Sequence, residues 1–159
     1  MLIRSISGLR GLTDVPNGLT TDVVRLYAAS FATYCHKGII TVGYDGRQGG
    51  KEIYDYVCKT LTEYGCDVFA LGMVPTPTVM FEVENDISIH GGISVTASHN
   101  GQQWNGMKFI AASGLFLDKE QNESLWEIID SNAPKENDTK GSITIREDIE
   151  EKHIKSILA

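Results

Sequence analysis

The chain has 159 residues, 42% of them hydrophobic and 22% charged, and a formal net charge of −7. That length holds one domain with a real core rather than two, and the negative balance argues against broad nucleic-acid binding, which needs a cationic surface. No apolar run approaches the roughly 20 residues that span a bilayer, and the N-terminus lacks a secretory h-region. Cys35, Cys58 and Cys66 are odd in number and lack metal spacing. They read as buried free thiols of a cytoplasmic protein rather than as a disulfide framework.

Thr20 or Thr21 can cap a first helix whose apolar face runs Val24, Tyr27, Ala28, Phe31 and Cys35, with His36, Lys37 and Gly38 as stop signals. Ile39 to Tyr44 reads as a central strand. After Gly49-Gly50, the residues Ile53, Val57 and Leu61 mark a second helix that stops at Gly65. Residues 67–71 form another strand, and Thr76 with Pro77 behind it predicts an N-cap and first turn for a third helix through Val79, Met80 and Val83. Ile93 to Thr96 and Met107 to Ile110 read as strands, and Asp118 with Gln121 predicts a capping box for a helix through Leu125, Ile128 and Ile129. Ser131 to Ser142 is a polar surface loop, and Arg146 to Ala159 is a charged amphipathic helix with Ile149, Ile154 and Leu158. The strand–helix rhythm predicts an α/β layer architecture.

Chemistry concentrates between Gly91 and Lys108. The strand there ends in Thr96-Ala97-Ser98-His99-Asn100, crowded with hydroxyl, imidazole and amide groups. Asn105-Gly106-Met107-Lys108 then returns a turn and a cation toward the same region. A hydroxyl nucleophile needs a proton acceptor or charge partner near neutral pH, and His99, Asn100 and Lys108 are candidates. The plain readings stand beside these. A serine at a strand end is ordinarily a turn former, Asn100 a turn residue that tolerates left-handed φ, and Lys108 a solvated cation. His99, as an immediate neighbour, points apart from Ser98 more often than toward it.

The stretch resembles the active-site loop of the α-D-phosphohexomutases, whose usual form is T-A-S-H-N-P followed by N-G-x-K or N-A-x-K. Here Gly101 stands where that family has proline. Ser7 to Gly11 resembles the family's S-G-I-R-G segment, Val42 to Arg47 its V-G-x-D-x-R turn, and Leu71 to Pro77 its L-G-x-x-P-T-P turn. The resemblance implies a three-layer α/β/α domain with a mixed, mostly parallel sheet. Residues 1–145 would be domain I, and 146–159 a helix leading toward a second domain.

The resemblance also implies an activity, in which a phosphoryl group moves between O1 and O6 of a hexose phosphate through a phosphoserine enzyme and a bisphosphorylated sugar. Ser98 would be the phosphoserine and would meet Mg²⁺ through its phosphate. Lys108 would assist proton transfer or hold charge, and Arg10 would lie against the phosphate as an electrostatic partner. His99 and Asn100 would contact substrate or loop. Asp45 and Arg47 read as structural, pairing within the strand-end turn. The family's D-G-D-x-D-R metal loop and distal phosphate loop are not in these 159 residues, so the expectation is one domain of four, inactive alone. The partners expected are a phosphorylated hexose and the three other domains, with no nucleic acid and no membrane. The hexose stays open among mannose, glucose and glucosamine phosphates. A noncatalytic domain that binds a phosphosugar or a protein is the competing reading, and a serine hydrolase is disfavoured because no G-x-S-x-G elbow occurs.

Overall fold

Apolar strands alternating with one-sided helices fold here into a sheet with a helical layer on each face. A computed structural model of the chain describes residues 1–13 and 15–159. The strands are β1 (Leu2–Ser5), β2 (Gly8–Leu12), β3 (Ile39–Tyr44), β4 (Val68–Met73), β5 (Ile89–Val95), β6 (Trp104–Ala111) and β7 (Ile143–Ile145). The helices are α1 (Thr21–Tyr34), α2 (Gly50–Glu63), α3 (Thr76–Asn85), α4 (Lys119–Asp130) and α5 (Ile149–Leu158). The sheet order is β1-β2-β6-β5-β3-β4-β7. The pairs β1/β2, β2/β6 and β5/β6 are antiparallel, and β3/β5, β3/β4 and β4/β7 are parallel. Thus β2, β5, β3, β4 and β7 point one way, and β1 and β6 the other. The mixed, mostly parallel sheet is as expected.

One core gathers Phe31 of α1, Val57 and Leu61 of α2, and Leu125 of α4 against Ile40, Val42 and Ile93. The other gathers Val79 and Val83 of α3 and Ile149 of α5 against Leu71, Ile89 and Ile110. Each such side chain, fully buried, is worth about 1.5–3 kcal/mol. The glycine pair before Ile93 has a packing reason. A Cβ at Gly91 would meet Phe31 Cζ at 2.9 Å and Cys35 Sγ at 3.0 Å, and one at Gly92 would meet Val83 Cγ2 at 2.9 Å. The strand that bears the serine loop is therefore clasped by helices from both faces.

Several boundaries differ from expectation. Residues 2–12 form a hairpin that pairs onto β6, although nothing in their short, glycine-broken pattern marks them as strands. β7 lies in the stretch between loop and last helix, and it is a strand only because it pairs with β4. Thr76 is not the N-cap of α3. That position is Pro75, and the Thr76 hydroxyl lies 2.8 Å from Ser94 Oγ, tying the helix start to β5. The Asp118–Gln121 capping box is present, and Thr20 caps α1. All three thiols are buried and unpaired.

Candidate active site

β3 and β5 are parallel neighbours that end side by side, Tyr44 opposite Val95. Open α/β sheets present their reactive loops at this carboxyl end. The Asp45 N–H donates to Val95 O at 3.1 Å, which carries the ladder one step beyond the strands. The Asp45 carboxylate then accepts the Thr96 hydroxyl at 2.6 Å, and Thr96 Oγ1 accepts the Ser98 N–H at 2.9 Å. Ser98 has φ of 57°, a left-handed conformation that costs a residue with a Cβ about 1–2 kcal/mol. Its hydroxyl is held outward from the sheet, on an exposed residue.

Arg47 completes the loop's support. Its Nη2 donates to Ser98 O at 2.8 Å, and its Nη1 approaches Asn100 O, Gly101 O and Trp104 O at 3.0, 2.8 and 3.1 Å. The expected pairing with Asp45 is the weaker contact, with Nε 3.7 Å from Oδ2. The guanidinium thus spends its donors on the serine loop, while Asp45 directs Thr96. Neither Thr96 nor this reach of Arg47 was singled out from the sequence as bearing on the serine. The signal available was positional, since a D-x-R turn and the T-A-S turn close two strands that prove adjacent.

The other residues are brought together unevenly. Arg10, on β2 opposite Gly106 of β6, donates from Nη1 to Asn100 Oδ1 at 3.0 Å. This places a guanidinium two residues from Ser98. Arg10 Nε is buried without a partner among the described residues. His99 Nδ1 lies 3.5 Å from Ser98 Oγ, too long for a strong hydrogen bond. Lys108 is not drawn to the serine. It faces Ser94 across the β5/β6 ladder, and its ammonium stands 5.2 Å from the centre of the Phe116 ring. No carboxylate pairs with it among the described residues.

The site therefore combines an exposed hydroxyl with two guanidinium groups and an imidazole, against a single carboxylate that is already engaged. On a chain with net charge −7, this gathers two cationic side chains around one hydroxyl. No group of three or more His, Cys, Asp and Glu side chains among the described residues could hold a metal ion. No described helix is long and apolar enough to cross a membrane.

Comparison with known proteins gives the family of this fold. Residues 2–136 match the family model described as phosphoglucomutase/phosphomannomutase, alpha/beta/alpha domain I. The chain belongs to that phosphohexomutase family. A probable phosphoglucosamine mutase of Methanobrevibacter smithii is 31% identical over 155 residues, covering 96% of this chain and 34% of the relative. A phosphomannomutase/phosphoglucomutase of Pseudomonas aeruginosa is 39% identical over 93 residues, covering 58% of this chain and 20% of that protein. A solved structure of a phosphoglucomutase/phosphomannomutase family protein from Burkholderia thailandensis matches with a TM-score of 0.82 at 24% identity, over 99% of this chain and 36% of that one. The last likeness carries the fold. The chain spans about a third of the length of the Methanobrevibacter relative.

Proposed function

We propose that this chain is the serine-bearing domain I of a mutase that interconverts hexose 1-phosphate and hexose 6-phosphate, with Ser98 as the phosphate carrier. The observation that supports this most is the left-handed, exposed Ser98, held at a strand tip between Thr96 and Arg47. A strained backbone at an exposed hydroxyl beside cationic side chains is what a phosphate-carrying serine needs.

The chemistry follows from the residue types. A sugar hydroxyl oxygen attacks the Ser98 phosphorus, the serine P–O bond breaks, and the serine oxygen leaves as the new sugar phosphate forms. The hydroxyl proton passes to a base, the role proposed for Lys108, and the leaving serine oxygen takes up a proton. Phosphoryl transfer asks the protein mainly for alignment and for positive charge on the equatorial oxygens. Arg10 supplies such charge as a fork that does not itself lose a proton, and it orients Asn100 as it does so. His99 and Asn100 are proposed to contact the substrate. The bisphosphorylated sugar then returns its other phosphate to Ser98.

Mg²⁺ would neutralise phosphate charge in the complete enzyme, and this chain would meet it only through the Ser98 phosphate. The remaining ligands would come from a second domain, toward which residues 146–159 lead from a domain I of residues 1–145. A longer, multidomain enzyme is the reading that fits the chain's one-third share of the Methanobrevibacter relative, and four domains and a cytoplasmic location are proposed with it from the resemblance. Glucose and mannose phosphates are the proposed substrates. The name borne by the Methanobrevibacter relative favours glucosamine phosphate as the second reading.

The test is kinetic. In the complete enzyme, Ser98→Ala should lower kcat by at least about 10³-fold on each accepted hexose phosphate, the scale on which loss of a covalent nucleophile is felt. A rate within a few-fold of wild type would end the proposal.

A further inference from the structure

We propose that Arg47 is a positioning residue for Ser98, acting as a cationic clamp that sets the backbone of the serine loop. The proposal rests on the reading of Ser98 as the reactive group, and the geometry behind it is independent of that reading. Four carbonyl oxygens, from Ser98, Asn100, Gly101 and Trp104, converge on one guanidinium within 3.1 Å. Carbonyl dipoles aimed at one point repel one another unless a cation sits among them. The loop closes in this form because Arg47 is there. Its side chain is only 11% exposed, so water competes poorly for those bonds.

Other ties reach the loop from β2 and the turn after it, where Arg10 Nη1 donates to Asn100 Oδ1 at 3.0 Å and Thr13 N–H and Oγ1 donate to Gln103 O at 2.9 and 3.2 Å, but none of these holds the carbonyls of Ser98, Asn100 or Gly101. Gly101 lacks a Cβ, and a Cβ there would meet only the flexible Gln103 amide, at 3.1 Å. The position supplies neither packing nor a restricted φ. Two turn bonds, Asn100 N–H to Ala97 O at 3.1 Å and Trp104 N–H to Gly101 O at 3.0 Å, are the remaining backbone ties within it. The bond from Arg47 to Ser98 O restrains the peptide on one side of the serine, and the bond from Thr96 Oγ1 to Ser98 N–H restrains the other. Together they fix both peptide planes that flank the nucleophile.

Lysine cannot substitute. The clamp needs a planar group whose Nη atoms reach different carbonyls, whereas an ammonium is a point charge on a flexible stem. Arg47 touches no reacting atom, so its effect on the reaction runs through Ser98.

Two measurements on Arg47→Lys test the clamp, with Arg47→Ala alongside. In the 159-residue chain, amide hydrogen exchange at Ser98, Asn100 and Trp104 should quicken about tenfold or more, while core amides such as Val42 and Ile93 keep their protection. In the complete enzyme, kcat should fall about 10²-fold with KM changed little, the cost of a misplaced reacting group. Unchanged loop exchange in both variants overturns the clamp. So does a uniform loss of core protection, up to failure of Arg47→Lys to fold, which would make the residue one of general stability. Loosened loop amides with unchanged kcat would leave a clamp that positions nothing, and that too overturns the proposal. If Ser98→Ala is itself active, the reading of the nucleophile fails while the exchange result still judges the clamp.

Discussion

The Thr96 hydroxyl donates to Asp45 Oδ2 at 2.6 Å while its oxygen accepts the Ser98 N–H at 2.9 Å. A carboxylate at the end of one strand thus orients, through one hydroxyl, the amide of a serine on the neighbouring strand. Thr96→Val keeps the shape and removes the relay. It leaves the Ser98 amide without its partner and takes one hydrogen bond from Asp45, which keeps the Arg47 backbone N–H at 3.1 Å, a loss of about 1–3 kcal/mol. Thr96→Ser should recover most of that loss. Urea unfolding of the three proteins checks this, and a valine variant as stable as wild type would contradict it.

Lys108 separates charge from proton transfer. Its ammonium rests over the Phe116 ring in this structure. If its duty is proton transfer, Lys108→Arg in the complete enzyme should lose about 10²–10⁴-fold in kcat with KM changed little, because arginine holds its proton too tightly. If it only holds charge, arginine should restore a good share of the rate lost in Lys108→Ala. A Lys108→Arg enzyme within a few-fold of wild type would remove the acid–base role.

Much of this was legible in the sequence where a local signal sufficed. The Asp118–Gln121 cap, the apolar face of α1 and the strand before the serine are written in neighbouring residues, and the structure contains them. The hairpin of β1 and β2 was not legible, because Gly8 to Leu12 becomes a strand only by pairing with β6, more than 90 residues later. β7 is three exposed residues whose strand character comes wholly from β4. Ser98 and its neighbours stood out as a cluster, whereas the reach of Arg47 to a loop 51 residues on depends on two strands lying side by side. Lys108 shows the reverse limit. Its spacing suggested a return toward Ser98, yet the antiparallel register sets it opposite Ser94.

The thiols offer a check on the packing. Burial pushes Cys58 and Cys66 up to about 12 and Cys35 well above the ordinary thiol range. Only the thiolate alkylates readily. Iodoacetamide at about pH 8 should therefore leave all three unmodified in the folded chain and modify all three in denaturant, as read by intact mass. Rapid labelling of a folded-state cysteine would contradict the described core.

Glu82 of α3 gives a pH dependence with a definite sign. Burial raises its carboxyl above the ordinary range, with Arg146 and Lys152 pulling it partly back down. Arg146 Nε lies 3.6 Å from Glu82 and its guanidinium 3.8 Å above the Phe69 ring, so this carboxylate sits beneath the β7–α5 junction. A raised native value means the folded state binds the proton more tightly. The associated stability is present below the ordinary carboxylate range and is lost as pH rises through the native value. The stability of wild type relative to Glu82→Gln should therefore decline as pH rises from the ordinary carboxylate range toward neutrality. A relative stability that grows over that range would reverse the assignment.

Phosphate mapping on the complete enzyme reaches the central claim most directly. After incubation with a bisphosphorylated hexose, intact mass should show one added phosphate, and peptide fragmentation should place it on Ser98. That phosphate should disappear when a hexose 1- or 6-monophosphate is added in excess and the bisphosphate formed is removed. Phosphate on any other residue, or none on an enzyme that turns over at full rate, would contradict Ser98 as the carrier.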